Sequence, residues 1–251
     1  MGETHVGRVI YRITGADRES FLQKLVTNDV SGLETIAYAA LLNPQGKFIA
    51  DFFLARAGDA ILLDVADDLS IGLLKKLNMY KLRADVAIQE TDLYAIRGIS
   101  LPMPEGAFED PRHPALGWRL YCETPGTPAA IDWDALRVSQ AIPEVGAELT
   151  PETYILEAGF ERLNGVDFRK GCYVGQEVTA RMKHKTELRK GFVRVDLDGP
   201  APAKGAMVTT EDGKEVGELT TVAPGGAIAY LRFDRAKGAL NAGHTRVIWA
   251  R

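Results

Sequence analysis

The densest run of chemically capable side chains is Lys170-Gly171-Cys172-Tyr173-Val174-Gly175-Gln176-Glu177, with Arg169 before it and Arg181 shortly after. Two glycines bracket a thiol. Glycine permits close backbone approach or positive φ, so Cys172 can be held out at a surface instead of packed away. The neighbouring cations and the start of a helix over Gln176–His184 would supply positive potential that favours thiolate, the form that attacks electrophiles and binds metals. The competing reading is a small buried hydrophobe in a tight turn. Cys122 is the other cysteine, in the alternating run Trp118–Cys122 that points it into a core or across a sheet face. Two cysteines form neither a disulfide framework nor a zinc knuckle. The four histidines (His5, His113, His184, His244) show no paired spacing, and no metal site is assigned.

The elements that must position this run follow from hydrophobic periodicity. Gly7–Ile13 reads as a strand, Asp17-Arg18-Glu19-Ser20 opens a short helix, and Thr35–Leu42 and Lys47–Arg56 flank the turn Asn43-Pro44-Gln45-Gly46. Ala60–Ala66 is a strand. Asp67–Leu82 is an amphipathic helix with Leu69, Leu73, Leu74 and Leu77 inward, and Ala84–Glu90, Leu93–Ile99 and Gly117–Glu123 return to strand. The Pro-rich stretch from Pro102 to Pro114 reads as irregular, and a helix covers Trp133–Ala141. Beyond Phe192, β-branched runs (Phe192–Leu197, Ala206–Thr210, Thr220–Val222, Ala227–Phe233, Thr245–Ala250) alternate with glycine or proline turns, the pattern of a small antiparallel barrel. A domain boundary is therefore placed near Lys190.

The chain has 251 residues, 30 Lys+Arg against 34 Asp+Glu, and a net charge of −4. Mild acidity argues against bulk nucleic-acid binding, and the apolar runs are too short for a membrane span. A cytoplasmic protein is expected. Arg181, Lys183, Lys185, Arg189, Lys190 and Arg194 nonetheless form a basic stretch, either a solvated helix and its exit loop or a docking stripe for an acidic or phosphate-bearing partner.

The run from Lys170 to Glu177 resembles the KGCYxGQE signature of the YgfZ family of folate-binding, iron–sulfur-cluster-associated proteins, relatives of the glycine-cleavage T-protein. The likeness extends through Asn164-Gly165-Val166-Asp167-Phe168, Arg181-Met182-Lys183-His184, Thr14-Gly15-Ala16-Asp17 and Thr27-Asn28-Asp29-Val30, with Trp133 ten residues before Pro143. It implies an α+β fold: a T-protein-like ring of two α+β lobes (1–90 and 91–190) followed by a C-terminal antiparallel β-barrel over 191–251. It also implies tetrahydrofolate or a related reduced folate, bound by Trp133, Asn28, Asp29 and Asp51. The functional motif would be Cys172 with Lys170 and Tyr173, supported by Gly171, Gly175, Gln176 and Glu177. The implied role is an accessory protein in assembly or repair of iron–sulfur clusters, with client or assembly proteins as partners, no permanently bound metal and no membrane partner. The alternative is a folate-dependent aminomethyl transferase. Ala50 weighs against it, standing where the T-protein has one acid of a pair, since a methyl group cannot move a proton. Ser139 or Gln140 replaces a glutamate that grips the pterin edge in related proteins, and Thr186 stands where the family has a turn glycine.

Overall fold

The computed structural model describes residues 2–185 and 187–250, without the side chain of Lys185. Thr186, and with it the expected change of turn there, lies outside the described residues.

Backbone contacts divide the chain into two compact units, 1–130 with 160–180 and 131–159 with 181–251. The division departs from a single boundary near 190. The segment 131–159 carries a helix that packs on barrel strands, while 160–180 returns to the first unit.

The first unit holds two antiparallel sheets. Strands β1 (Glu3–Thr4), β2 (Arg8–Thr14), β3 (Ile36–Leu42), β4 (Phe48–Ala57), β5 (Ala60–Ala66) and β6 (Ala87–Glu90) are joined by helices α1 (Arg18–Gln23) and α2 (Asp67–Lys81). Strands β7 (Tyr94–Gly98), β8 (Phe108–Glu109) and β9 (Trp118–Cys122) complete the set, giving sheets ordered β3-β4-β5-β2-β6 and β1-β7-β9-β8. β8 and a 3₁₀ turn at Pro114–Leu116 occupy part of the stretch expected to be irregular. The near-continuous apolar runs of β3 and β5 fit strands buried on both faces, whose side chains pack alternately to the two sides of the sheet. One side forms a core of Ile13, Leu22, Val26, Leu41, Phe52, Leu63, Leu73 and Leu77, with Leu69 and Leu74 half-buried at its edge.

The second unit begins with α3 (Trp133–Ser139), which stops short of the expected Ala141 because Ala141 turns to φ +48°. Strands β10 (Lys190–Asp198), β11 (Met207–Thr210), β12 (Glu215–Ala223), β13 (Gly226–Arg232), β14 (Leu240–Ala242) and β15 (Thr245–Ile248) close a barrel in the order β10-β13-β12-β11-β14-β15. Five runs were expected. The sixth strand, β14, is three residues long, too short to show alternation. Helix α4 (Gln176–Lys185) runs from the first unit into the second. Among the described residues no helix is long and apolar enough to cross a membrane.

Candidate functional site

In the loop between Asp167 and α4 the buried residues are Lys170 and Tyr173, and the two residues between them, Gly171 and Cys172, lie outside. Lys170 is buried, with 7% of its surface exposed, and its ammonium donates to the carbonyls of Gln23 at 2.9 Å, Val26 at 2.5 Å and Asn28 at 2.8 Å. An ammonium has three N–H donors, so all three are used and none remains for the thiol. Burial lowers the Lys170 pKa to about 8, against the pull of Asp29 and Asp167. Tyr173, also buried, lies with its ring 5.3 Å from that ammonium, and burial raises its hydroxyl pKa. Val174 packs at the edge of the first core. Between these anchors Gly171 and Cys172 are exposed. Lys170 and Tyr173 thus hold the thiol by clamping the backbone on both sides of it.

The two motif glycines differ. Gly175 has φ +83°, and a Cβ there would lie 2.7 Å from Asn43 O and 3.1 Å from Gly46 Cα in the β3–β4 turn. Only glycine fits. A Cβ on Gly171 would meet nothing within 4 Å, so its place in the motif is not steric. Gln176 and Glu177 begin α4, with Glu177 in the first turn where the helix dipole favours a carboxylate. Cys122 is half-buried instead of lying in the core, and its thiol donates to Thr124 O at 3.1 Å at the end of β9.

The residues expected to meet a folate have other engagements. Asn28 donates its amide hydrogens to Tyr38 O at 2.8 Å and Asn164 O at 2.7 Å, tying β3 to the loop ahead of the motif. Beside it, the buried Thr27 hydroxyl bridges Gly165 O and Ala40 N. Asp29 is exposed, and the Ser31 amide that bonds its carboxylate lowers its pKa. Asn28, Asn164, Asp167 and Arg169 line an open groove of about 390 Å³. Asp51 is buried and accepts the Tyr38 hydroxyl at 2.8 Å; burial first, and then the Asp51 charge, push the Tyr38 pKa well up. Ala50 points to the opposite face of β4, into the core with Phe52 and Leu54. Positions 50 and 51 therefore cannot present two carboxylates to one cleft. Trp133 belongs to the second unit, where it is buried at 8% exposure at the start of α3. The four residues thus do not converge within either unit. Ser139 turns its hydroxyl back to Leu136 O, while the neighbouring Arg137 is buried against Glu148.

A second cluster escaped the sequence reading. Asp64, fully buried, accepts from Arg8 at 2.6 Å, Arg119 at 2.5 Å and the Tyr121 hydroxyl at 2.9 Å. Arg112 grips Asp110 through two bonds, and the guanidiniums of Arg119 and Arg112 lie 3.9 Å and 4.8 Å from the Phe53 ring centre. Burial works to raise the Asp64 pKa, but Arg8 and Arg119 pull it down to about 2. His5, 3.4 Å from Arg119, is held neutral by burial and by that cation. The signal was present in the sequence. A lone Asp in Ala60–Ala66 and a lone Arg in Trp118–Cys122 interrupt apolar runs, and charges in such places must find partners.

The basic stretch is exposed at Arg181, Lys183, Arg189, Lys190 and Arg194, with Lys190 3.7 Å from Glu157 and Arg194 paired with Asp196. Among the described residues no group of three or more His, Cys, Asp or Glu is arranged to hold a metal ion.

An aminomethyltransferase T-like unit carrying a closed six-stranded barrel is the class of protein this architecture defines. The solved glycine cleavage system aminomethyltransferase T from Bartonella henselae superposes with a TM-score of 0.77 over 99% of this chain and 84% of its own, at 12% identity. Residues 189–251 match the family described as CAF17, C-terminal beta-barrel domain. The mitochondrial iron-sulfur cluster assembly factor IBA57 of Mus musculus is 33% identical over 94% of this chain and 78% of its own length, and that of Homo sapiens is 30% identical over the same shares. The chain belongs to the IBA57 family of iron–sulfur cluster assembly factors. The expectation of a cytoplasmic protein is corrected here, because these relatives are mitochondrial.

Proposed function

We propose that the protein assists the assembly of iron–sulfur clusters in client proteins, presenting Cys172 as a single thiolate ligand to cluster iron during handover. The observation that carries this reading is the exposed Cys172 between two buried anchors, Lys170 and Tyr173. One thiolate falls far short of the four that hold a stable cluster, so the remaining ligands belong to the donor or the client, and the cluster is cargo. Membership of the YgfZ branch is the finer proposal, supported by the motif from Lys170 to Glu177. The test is complementation of a strain lacking the protein, read as the activity of an iron–sulfur client enzyme. Cys172→Ser should fail to restore activity while melting at the parental temperature; full complementation would overturn the reading.

Binding of a reduced folate is a second proposal. It is supported by the motif resemblance and by the groove beside Asn28 and Asp167, which is within the usual volume range for small-molecule sites. Because the Asn28 amide is spent on Tyr38 and Asn164, a pterin there would be met by Asp167, Arg169 and backbone groups. Calorimetry with tetrahydrofolate decides it: saturable heat, weakened in Asp167→Ala, is expected, and no heat at millimolar ligand would refute it. We assign no aminomethyl transfer to the protein, since Ala50 and Asp51 face opposite sides of β4.

A further inference from the structure

Helix α2 packs its inner side on the core through Leu73 and Leu77, while its outer side shows large apolar groups to water. Ile71 is 67% exposed, Met79 61%, and Leu82 at the helix end 88%. Ile71, Lys75, Asn78 and Met79 fall within an arc of about 100° around the helix, so they form one stripe. Leu82, just past the helix, adopts φ +48° and ψ −107°, a positive-φ conformation that favours glycine over any residue with a side chain. In the isolated chain a leucine there is unfavourable twice, once for its backbone and once for its exposed side chain. From Leu69 to Ala84 the sequence carries Lys75, Lys76, Lys81 and Arg83 and no carboxylate, in a chain whose net charge is −4.

We infer that the outer face of α2 is a docking surface for an acidic protein segment, which sets an apolar side chain against Met79 and Leu82 and carboxylates against Lys75 and Arg83. The charge pattern selects this occupant. A second copy of the chain would oppose cations to cations, and an anionic lipid surface would meet Asp67 and Asp68 at the other end of the helix. The surface uses none of the motif residues and stands independently of the role proposed for Cys172.

The test uses the full chain and a fluorescein-labelled amphipathic peptide with glutamates on one face and leucines on the other. Saturable binding by anisotropy is expected, weakened by at least about tenfold in Leu82→Gly and in the double variant Lys75→Glu/Arg83→Glu. Leu82→Gly should also melt at a higher temperature than the parent, because it relieves the strained backbone, which separates lost docking from lost folding. The proposal is overturned if a scrambled peptide binds equally well or if Leu82→Gly binds unchanged. Tighter association with phosphatidylcholine–phosphatidylserine vesicles, or a dimer in sedimentation that Leu82→Gly dissolves, would overturn it equally.

Discussion

Gly46 and Gly175 meet back to back: a Cβ built on Gly175 would come within 3.1 Å of Gly46 Cα, and one built on Gly46 within 2.8 Å of Val178 Cβ. The hairpin turn of the main sheet and the first turn of α4 are thus in backbone contact, and Cys172 sits three residues before that contact. Both glycines also have positive φ, at +75° and +83°.

Gly175→Ala should destabilise the protein by about 1–3 kcal/mol, from strain at positive φ plus the contact with Asn43 O. Gly171→Ala should leave the melting temperature unchanged, since its Cβ enters open space. Thermal unfolding of the two variants side by side checks the distinction; equal losses would refute it.

Lys170→Met deprives the carbonyls of Gln23, Val26 and Asn28 of their donor, at a cost of about 2–4 kcal/mol. It should also free the loop. Alkylation of Cys172 is then expected to change in rate while that of Cys122, on β9, does not. Peptide mapping after iodoacetamide labelling resolves the two thiols, and a parallel change at both would mean global loosening.

The buried Asp64 makes a signed prediction about acid. Its carboxyl titrates at about 2 in the folded chain and at about 3.9 unfolded, so the stability it lends is complete above pH 4 or so and disappears as pH falls through about 2. His5 adds an earlier stage: its folded pKa is lowered by burial and by Arg119, whereas the unfolded chain takes up that proton from about pH 6.5 downward. Stability should therefore decline in two stages on acidification, the first absent in His5→Gln. Asp64→Asn, which strands Arg8 and Arg119, should cost about 3–5 kcal/mol near neutrality and flatten the second stage. Denaturant unfolding followed across pH reads both; a single stage in the parent chain would count against the assignment.

Ala50→Asp should not create aminomethyl transfer. It would bury a carboxylate among Phe52, Leu54 and Leu41, destabilising the chain by several kcal/mol, on the order of the cost of an unpaired buried charge. Formaldehyde release from an aminomethylated carrier, measured beside the melting temperature, tests it; turnover above background would show that position 50 reaches a substrate.

Much of the architecture could be read from periodicity. The hairpin at Asn43-Pro44-Gln45-Gly46 and the core face of α2 were legible because turn chemistry and helical spacing act within a few residues. Beyond that range the reading failed. The return of 160–180 to the first unit and the pairing of Asp64 with Arg119 depend on segments far apart in the chain, and the strand β14 is too short to show a period. The exposure of Cys172 was legible from its motif, whereas the use of Lys170 as a backbone clamp was not, because its acceptors are carbonyls and every residue has one. Asn28 looked like a ligand group for the same reason: its amide serves carbonyls 10 and 136 residues away.

The three bonds of Lys170 reach back across 142 to 147 residues. During synthesis at roughly 5–20 residues per second, the loop from Gln23 to Asn28 leaves the ribosome many seconds before the lysine that fastens it. A nascent or truncated chain therefore has the sheet of the first unit without the clasp. Cys172 is held between its two anchors only when the chain is made past the start of α4, so the displayed thiol and the completion of the first unit arrive together, before the barrel strands are made.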